Sequence, residues 1–273
     1  MNDTPETSIQ VVVLGSGTST GVPMIGCECE VCQSGDPRDK RLRPSLLVRF
    51  GSREVLIDTG PDLRQQALRA SMRRLDAILI THRHADHILG LDDVRPFNFV
   101  TRSSVPLYGS AEVLEAIRHT FAYAFSDAES LSSRPKIQLF EIRQDGPVNI
   151  HGLEFQPIPV IHGDTVCMGF RFGNVAYLTD FREVPETSLE KLQGLDILFL
   201  DALRHKPHPT HSTVESSLKL AEVLRAKRTF FTHISHDLSH AGTEASLPEN
   251  IRLAYDDLTL ESPWRLPSEN QSA

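Results

Sequence analysis

Short apolar runs, most of them closed by a polar cluster, recur along the chain and place strands through most of its length. Residues 9–14 form a β-branched strand that ends at Gly15-Ser16-Gly17-Thr18. Two glycines directly after a strand permit a sharp turn. A dinucleotide fingerprint is rejected, because the third glycine is missing at the required spacing and no helical pattern follows. Residues 45–50 and 54–57 read as a hairpin turning at Gly51-Ser52. Pro61 and Asp62 start a helix to about residue 70, residues 75–80 return as a strand, and residues 88–91 open another helix. A strand over 105–108 precedes helical spacing over 111–124 (Val113, Leu114, Ile117, Phe121). Strands follow at 137–142, 148–150, 153–160, 166–172 and 175–178. The chain closes with a helix over 187–192, a strand over 197–200, a helix over 213–225 and a strand over 229–231. The polar span 127–135 is ambiguous, and the tail from Ser262 is expected to fray. Two facing sheets with helices outside satisfy this order, an α/β class in a single domain over residues 1–273.

Composition changes this picture little. At 273 residues, 40% hydrophobic and 23% charged, the chain can bury an ordinary soluble core. A net charge of −8 argues against broad nucleic-acid or anionic-membrane binding. An anionic substrate stays compatible, since bound divalent cations reverse the field of a carboxylate-rich site. No apolar run approaches a membrane span, and residues 1–10 show no signal-peptide pattern, so the cytoplasm is the expected compartment. Of four cysteines, Cys27, Cys29 and Cys32 fall within six residues. That spacing reads as metal ligation rather than as a disulfide framework. Cys167, between Val166 and Met168, reads as a buried small hydrophobe.

The chemistry concentrates in Thr81-His82-Arg83-His84-Ala85-Asp86-His87, just past the strand over 75–80. Three imidazoles and a carboxylate in six residues are too many donors for an unpartnered loop. Further donors follow apolar strands one at a time: Asp58, His162, Asp180, Asp201 and His233. Each alone is weak evidence, but together they converge on one edge of a sandwich. Imidazole and carboxylate suit Zn²⁺, Mn²⁺ or Fe²⁺, and two such ions about 3.5–4 Å apart can generate a bridging hydroxide nucleophile.

The pattern His82-x-His84-x-Asp86-His87, followed by His162, Asp180 and His233, resembles the metallo-β-lactamase superfamily over nearly the whole chain. The resemblance implies an αββα four-layer sandwich with a dinuclear site at one edge. It implies that His82, His84 and His162 hold one ion and that Asp86, His87 and His233 hold the other. Asp180 would bridge them, with Asp58 and Asp201 in support and Asp86 counted with His211 as catalytic. His84 stands where oxygen-reducing diiron members usually carry Glu, which favours a hydrolase.

Three features narrow the branch. Cys27-x-Cys29-x-x-Cys32 needs a fourth donor for a structural zinc, and His236 in Thr232-His233-Ile234-Ser235-His236 is the candidate; the zinc would clamp the loop over about 26–44. His211-Ser212-Thr213 opens a helix, with Ser212 as the expected cap. It resembles the His-Ser-Thr element of tRNA 3′-processing endonucleases and the equivalent His of the phosphodiesterases accompanying carbon–phosphorus lyase, thought to protonate the leaving oxygen. The cysteine run and Thr-His-Ile-Ser-His together are similar to the second group, the PhnP-type cyclic-phosphate phosphodiesterases. Only 17 residues separate His162 from Asp180, too few for a tRNA-gripping arm. A small phosphodiester is therefore the expected substrate, and tRNA is not. A carbon-ester, lactone or thioester hydrolase is the alternative, with a non-catalytic metal-binding scaffold a third reading. Arg204, His205, Lys206 and His208 lie near the site without an assigned role, and a homodimer is left open.

Overall fold

The computed structural model describes residues 7–126 and 131–264. Its strands are β1 (Thr7–Gly15), β2 (Ser45–Phe50), β3 (Arg53–Ile57), β4 (Ala77–Leu79), β5 (Val105–Gly109), β6 (Ile137–Glu141) and β7 (Val148–Ile150). They continue as β8 (Leu153–His162), β9 (Thr165–Phe172), β10 (Val175–Leu178), β11 (Ile197–Asp201), β12 (Arg228–Thr232), β13 (Ile251–Leu253) and β14 (Thr259–Trp264). The helices are α1 (Glu30–Gln33), α2 (Leu63–Arg69), α3 (Ala85–Ile88), α4 (Arg95–Thr101), α5 (Ala111–Thr120), α6 (Glu186–Leu189), α7 (Val214–Leu224) and α8 (His240–Glu244).

Among the described residues the strands form two seven-stranded sheets, ordered β14-β1-β2-β3-β4-β5-β6 and β13-β12-β11-β10-β9-β8-β7. The alternation along each strand assigns its faces. In β1, Ile9, Val11 and Val13 join Phe155, Phe170, Phe172, Tyr177 and Phe199 of the second sheet in a core shared by both sheets. Val12 and Leu14 point the other way, into a cluster with Leu63, Val94, Phe97, Val113 and Ile117 from the helical side. The outer face of the second sheet packs Leu198, Leu200 and Phe231 against Val214, Ala221 and Leu224 of α7. The result is an αββα sandwich. It explains why these strands read as continuous apolar runs, since both faces of each sheet are covered.

Several expectations change. The tail expected to fray from Ser262 instead forms the end of β14, which pairs with β1 through Ser262↔Ile9 and Trp264↔Thr7. Ser262 is fully buried there, and residues beyond 264 lie outside the described ones. The helix expected at 88–91 begins earlier, as one turn over Ala85–Ile88 inside the histidine motif. Of the ambiguous span 127–135, residues 127–130 lie outside the described ones. The short α4, α8 and β13 carry too little period to be read in advance. No helix among the described residues is long and apolar enough to cross a membrane.

Candidate metal centre

Strands β3, β4, β8, β10, β11 and β12 all run the same way within their sheets, and their C-terminal ends meet at one rim. Met168 of β9 donates its backbone N–H to Thr81 O at 2.9 Å, tying the two sheets together there. Three residues at these strand ends adopt left-handed backbone: Asp58 (φ 67), Asp180 (φ 51) and His233 (φ 58). That conformation is costly for residues with a Cβ and persists where the surroundings over-determine it. It lets a strand stop abruptly and send its last side chain inward.

The donors gather in two adjoining groups. Ligand atoms of His82, His84 and His162 lie within 4.8 Å of one another, and so do those of Asp86, His87, Asp180 and His233. Single-turn α3 makes this possible: His84 sits at its N-terminal boundary while Asp86 and His87 turn into the protein and are buried. Asp180 lies between the groups, with carboxylate oxygens 3.1 Å from His233 Nε2, 3.3 Å from His87 Nε2 and 3.9 Å from His82 Nε2.

The far nitrogens of the His87 and His162 rings are held by the protein. His87 Nδ1 donates to Asp58 Oδ2 at 2.8 Å, and Asp58 also accepts from Thr81 N at 2.8 Å and from its hydroxyl. His162 Nδ1 donates to the carbonyl of Thr210 at 2.9 Å. With Nδ1 carrying the proton, Nε2 presents a lone pair to the cluster, the arrangement seen at metal-ligating histidines.

Whether this set fits metal ions is answered by atoms with nothing to bond to. Asp86 Oδ2 and the Nε2 atoms of His87 and His233 are buried and have no hydrogen-bond partner. A lone pair on His87 Nε2 facing carboxylate oxygens of Asp86 and Asp180, each at 3.3 Å, is repulsive unless a cation intervenes. The electrostatics agree. Burial opposes a charge on His87, yet Asp180, Asp58 and Asp86 hold its pKa well above the ordinary histidine range. His233 is likewise pushed up to about 9 against burial, chiefly by Asp180. Asp180, though buried, is held well below the carboxylate range by His233 and His87. A field that favours positive charge so strongly suits a divalent ion, and the donor set fits one in each group.

A second donor set lies beside the first. His236 Nδ1 is 3.3 Å from Cys27 Sγ, 3.3 Å from Cys29 Sγ and 3.6 Å from Cys32 Sγ. Tetrahedral zinc with ordinary Zn–S and Zn–N lengths would set such S···N separations at about 3.6 Å, so these residues fit a structural zinc. The loop they anchor meets the rim directly: Thr18 N donates to Ile234 O, and Ile234 N to Ser16 O.

His211 borders the cluster from the second sheet. Its Nδ1 donates to Asp201 Oδ2 at 2.7 Å. Its ring stacks on His233 at 4.6 Å and meets His162 edge-on at the same centroid distance. Asp201 also accepts from Phe181 N, which fixes it in turn. Ser212 does not cap α7. The capping oxygen is Thr213 Oγ1, which accepts from Ser216 N at 3.1 Å, while Ser212 Oγ is engaged with Ser217 Oγ at 2.7 Å. Consecutive hydroxyls cannot be ranked as caps from sequence, because one backbone φ/ψ decides which of them faces the helix. Of the unassigned residues, Arg204 donates to the Lys206 and Pro207 carbonyls and reaches Asp237 at 3.7 Å, and His205 pairs with Glu215 at 2.7 Å. The Thr210 carbonyl behind His162 carries no signal in the sequence.

Two facing sheets with these imidazoles and carboxylates gathered at one rim define the class of metal-dependent hydrolases. The chain belongs to the β-lactamase superfamily: a family model described as the beta-lactamase superfamily domain matches residues 53–234. A crystal structure of a diphosphatase from the PhnP family superposes with a TM-score of 0.88 at 52% identity, covering 93% of this chain and 97% of that one. An octanoyltransferase of Porphyromonas gingivalis (strain ATCC BAA-308 / W83) is 37% identical over 253 residues, 92% of this chain and 51% of that protein. A ribonuclease Z of Mycobacterium bovis (strain BCG / Pasteur 1173P2) is 31% identical over 188 residues, 62% of this chain and 66% of that protein. The chain thus spans only part of the length of these curated relatives.

Proposed function

We propose that the chain is a metal-dependent phosphodiesterase acting on a small, cyclic or activated phosphodiester. In this reading His82, His84 and His162 hold one ion, and Asp86, His87 and His233 hold the other. Asp180 lies between them, and Cys27, Cys29, Cys32 and His236 hold a structural zinc. Two divalent ions in such a site orient a phosphate, offset its charge and activate water at neutral pH. The protein's own residues do the rest. Asp58 and the Thr210 carbonyl fix the rings of His87 and His162. His211 delivers a proton from Nε2 to the leaving oxygen as the bond from phosphorus to that oxygen breaks and the bond from water forms.

The observation that carries this reading is the Asp201–His211 pair. A 2.7 Å bond to a buried carboxylate orients an imidazole that abuts both donor groups, as a general acid for a leaving alkoxide requires. The PhnP-family diphosphatase and the ribonuclease Z relative, both phosphorus–oxygen chemistries by name, support the reaction class. The small substrate is supported by the connection between His162 and Thr165. It is a two-residue turn in which β8 and β9 pair to their last residue, leaving no insertion with which to grip a folded RNA. The octanoyltransferase relative, named for acyl transfer, is the reason to test carbon esters as well.

His211→Ala should retain its metal by elemental analysis while hydrolysis of a diester with an alkyl leaving group falls at least about a hundredfold. Full activity of that variant on such a substrate would refute the role of His211. Greater turnover of a lactone or thioester than of any phosphodiester would replace the reaction class.

A further inference from the structure

Three strand ends at the rim carry a threonine directly before a donor: Thr81-His82, Thr179-Asp180 and Thr232-His233. Threonine is at home in a strand, so its presence there says nothing by itself about chemistry. The hydroxyls differ, however. Thr81 Oγ1 donates to Asp58, and Thr232 Oγ1 is buried with no hydrogen-bond partner among the described residues. Thr179 Oγ1 donates to Asp180 Oδ1 at 2.6 Å, and both residues are buried. That length is the one expected of a hydroxyl bonded to an ionised carboxylate.

The bond makes the two oxygens of Asp180 unequal. A carboxylate oxygen has about two acceptor sites, and Oδ1 commits one of them to Thr179. No hydroxyl or backbone N–H among the described residues engages Oδ2. It is Oδ2 that faces both donor groups, 3.1 Å from His233 Nε2 and 3.9 Å from His82 Nε2. The two groups do not need it equally. Asp86 already gives the second group a carboxylate, with Oδ2 3.3 Å from His87 Nε2. The first group consists of three imidazoles, and Asp180 is the only carboxylate in ion-pair reach of it among the described residues. A cation held by His82, His84 and His162 therefore depends on Asp180 Oδ2 for negative charge, and on whatever keeps that oxygen turned toward it.

Resting on the two-ion reading above, we infer that Thr179 is a positioning residue whose hydroxyl pins Asp180 Oδ1 and so presents Oδ2 to the first group. Without that hydroxyl the carboxylate is free to turn both oxygens onto the second group, where Oδ1 already lies 3.3 Å from His87 Nε2. The first group is then left with imidazoles alone, and its ion is the one that weakens.

The test uses the full chain with Mn²⁺ in the rim and zinc in the cysteine site. Wild type should bind a pair of Mn²⁺ ions in the rim and give the EPR spectrum of an exchange-coupled pair. Thr179→Val keeps the β-branched shape and loses only the donor. Competition against a chromophoric chelator should show one of its ions weakened about tenfold or more, the scale of lost second-sphere support. At one equivalent of Mn²⁺, pulsed EPR should then count only the imidazole nitrogens of His87 and His233 on the ion that stays. Thr179→Ser should hold both ions as wild type does, and Thr179→Ala should repeat the loss, which guards against a folding defect peculiar to one variant. Affinities within about twofold of wild type with an unchanged coupled spectrum in Thr179→Val would overturn the inference. So would a retained ion bearing the imidazoles of the first group, or equal weakening in Thr179→Ser and Thr179→Val, which would mark a packing role. A wild-type rim that takes up a single Mn²⁺ would instead bring down the two-ion reading itself.

Discussion

Asp58→Asn probes the support of the cluster without touching a proposed ligand. Asp58 is fully buried at the end of β3. Its carboxylate accepts from His87 Nδ1, Thr81 N and the Thr81 hydroxyl. An amide replaces one accepting oxygen with an NH₂ group, so either the imidazole N–H or the Thr81 donors must face another donor. Loss of one charge-assisted bond and one buried unsatisfied donor together cost about 2–4 kcal/mol. Asparagine is chosen because the backbone here is left-handed, with φ 67. Asn tolerates that region, whereas alanine adds about 1–2 kcal/mol of strain. Without its carboxylate His87 is less basic and free to rotate, and second-sphere losses of this kind lower metal affinity about 10–100-fold. Competition against a chromophoric chelator should show that loss at one ion with the other retained, and calorimetry should show a lower Tm. Affinity within twofold of wild type together with an unchanged Tm would refute the argument that Asp58 orients His87.

Three further outcomes follow from the same geometry. Cys32→Ser should remove about one zinc per chain by elemental analysis and lower Tm, while the ions of the rim stay bound; retention of three ions would exclude the Cys₃His set as a metal site. Thr213→Ala should cost about 0.5–2 kcal/mol in denaturant unfolding through loss of the α7 cap, and Ser212→Ala should leave that bond intact; the reverse order would contradict the capping geometry. Asp76, whose carboxylate burial alone would raise, is held below the usual range by Arg74, the Glu54 N–H and Arg53. A depressed folded-state value stabilises above the unfolded value of about 3.9 and loses that contribution as pH falls through the folded one. Asp76→Asn should therefore be less stable than wild type at neutral pH, with the gap closing below about pH 4 in urea titrations; a constant gap would show that ionisation is not its origin.

Much of the rim was legible in the chain because its donors follow strands, and strands announce themselves by period. Asp58, Asp180 and His233 each end an apolar run, and the dense motif His82-x-His84-x-Asp86-His87 needs only one helical turn to present both halves. The partners of those rings were less legible. A carboxylate such as Asp58 has a side chain that sequence can display, but the Thr210 carbonyl behind His162 is a backbone atom that every residue carries. The cap of α7 depends on a single torsion, which no local pattern encodes.

The sequence by itself determined the local elements, the donor inventory and its order, because hydrophobic period and side-chain chemistry are properties of neighbouring residues. Tertiary structure decided which distant groups meet. It set His236 against cysteines more than 200 positions earlier and aligned β14 on β1 so that Ser262 became buried. Those outcomes follow from the register of two sheets packed over a shared core, and a register exists only once the whole chain has closed on itself.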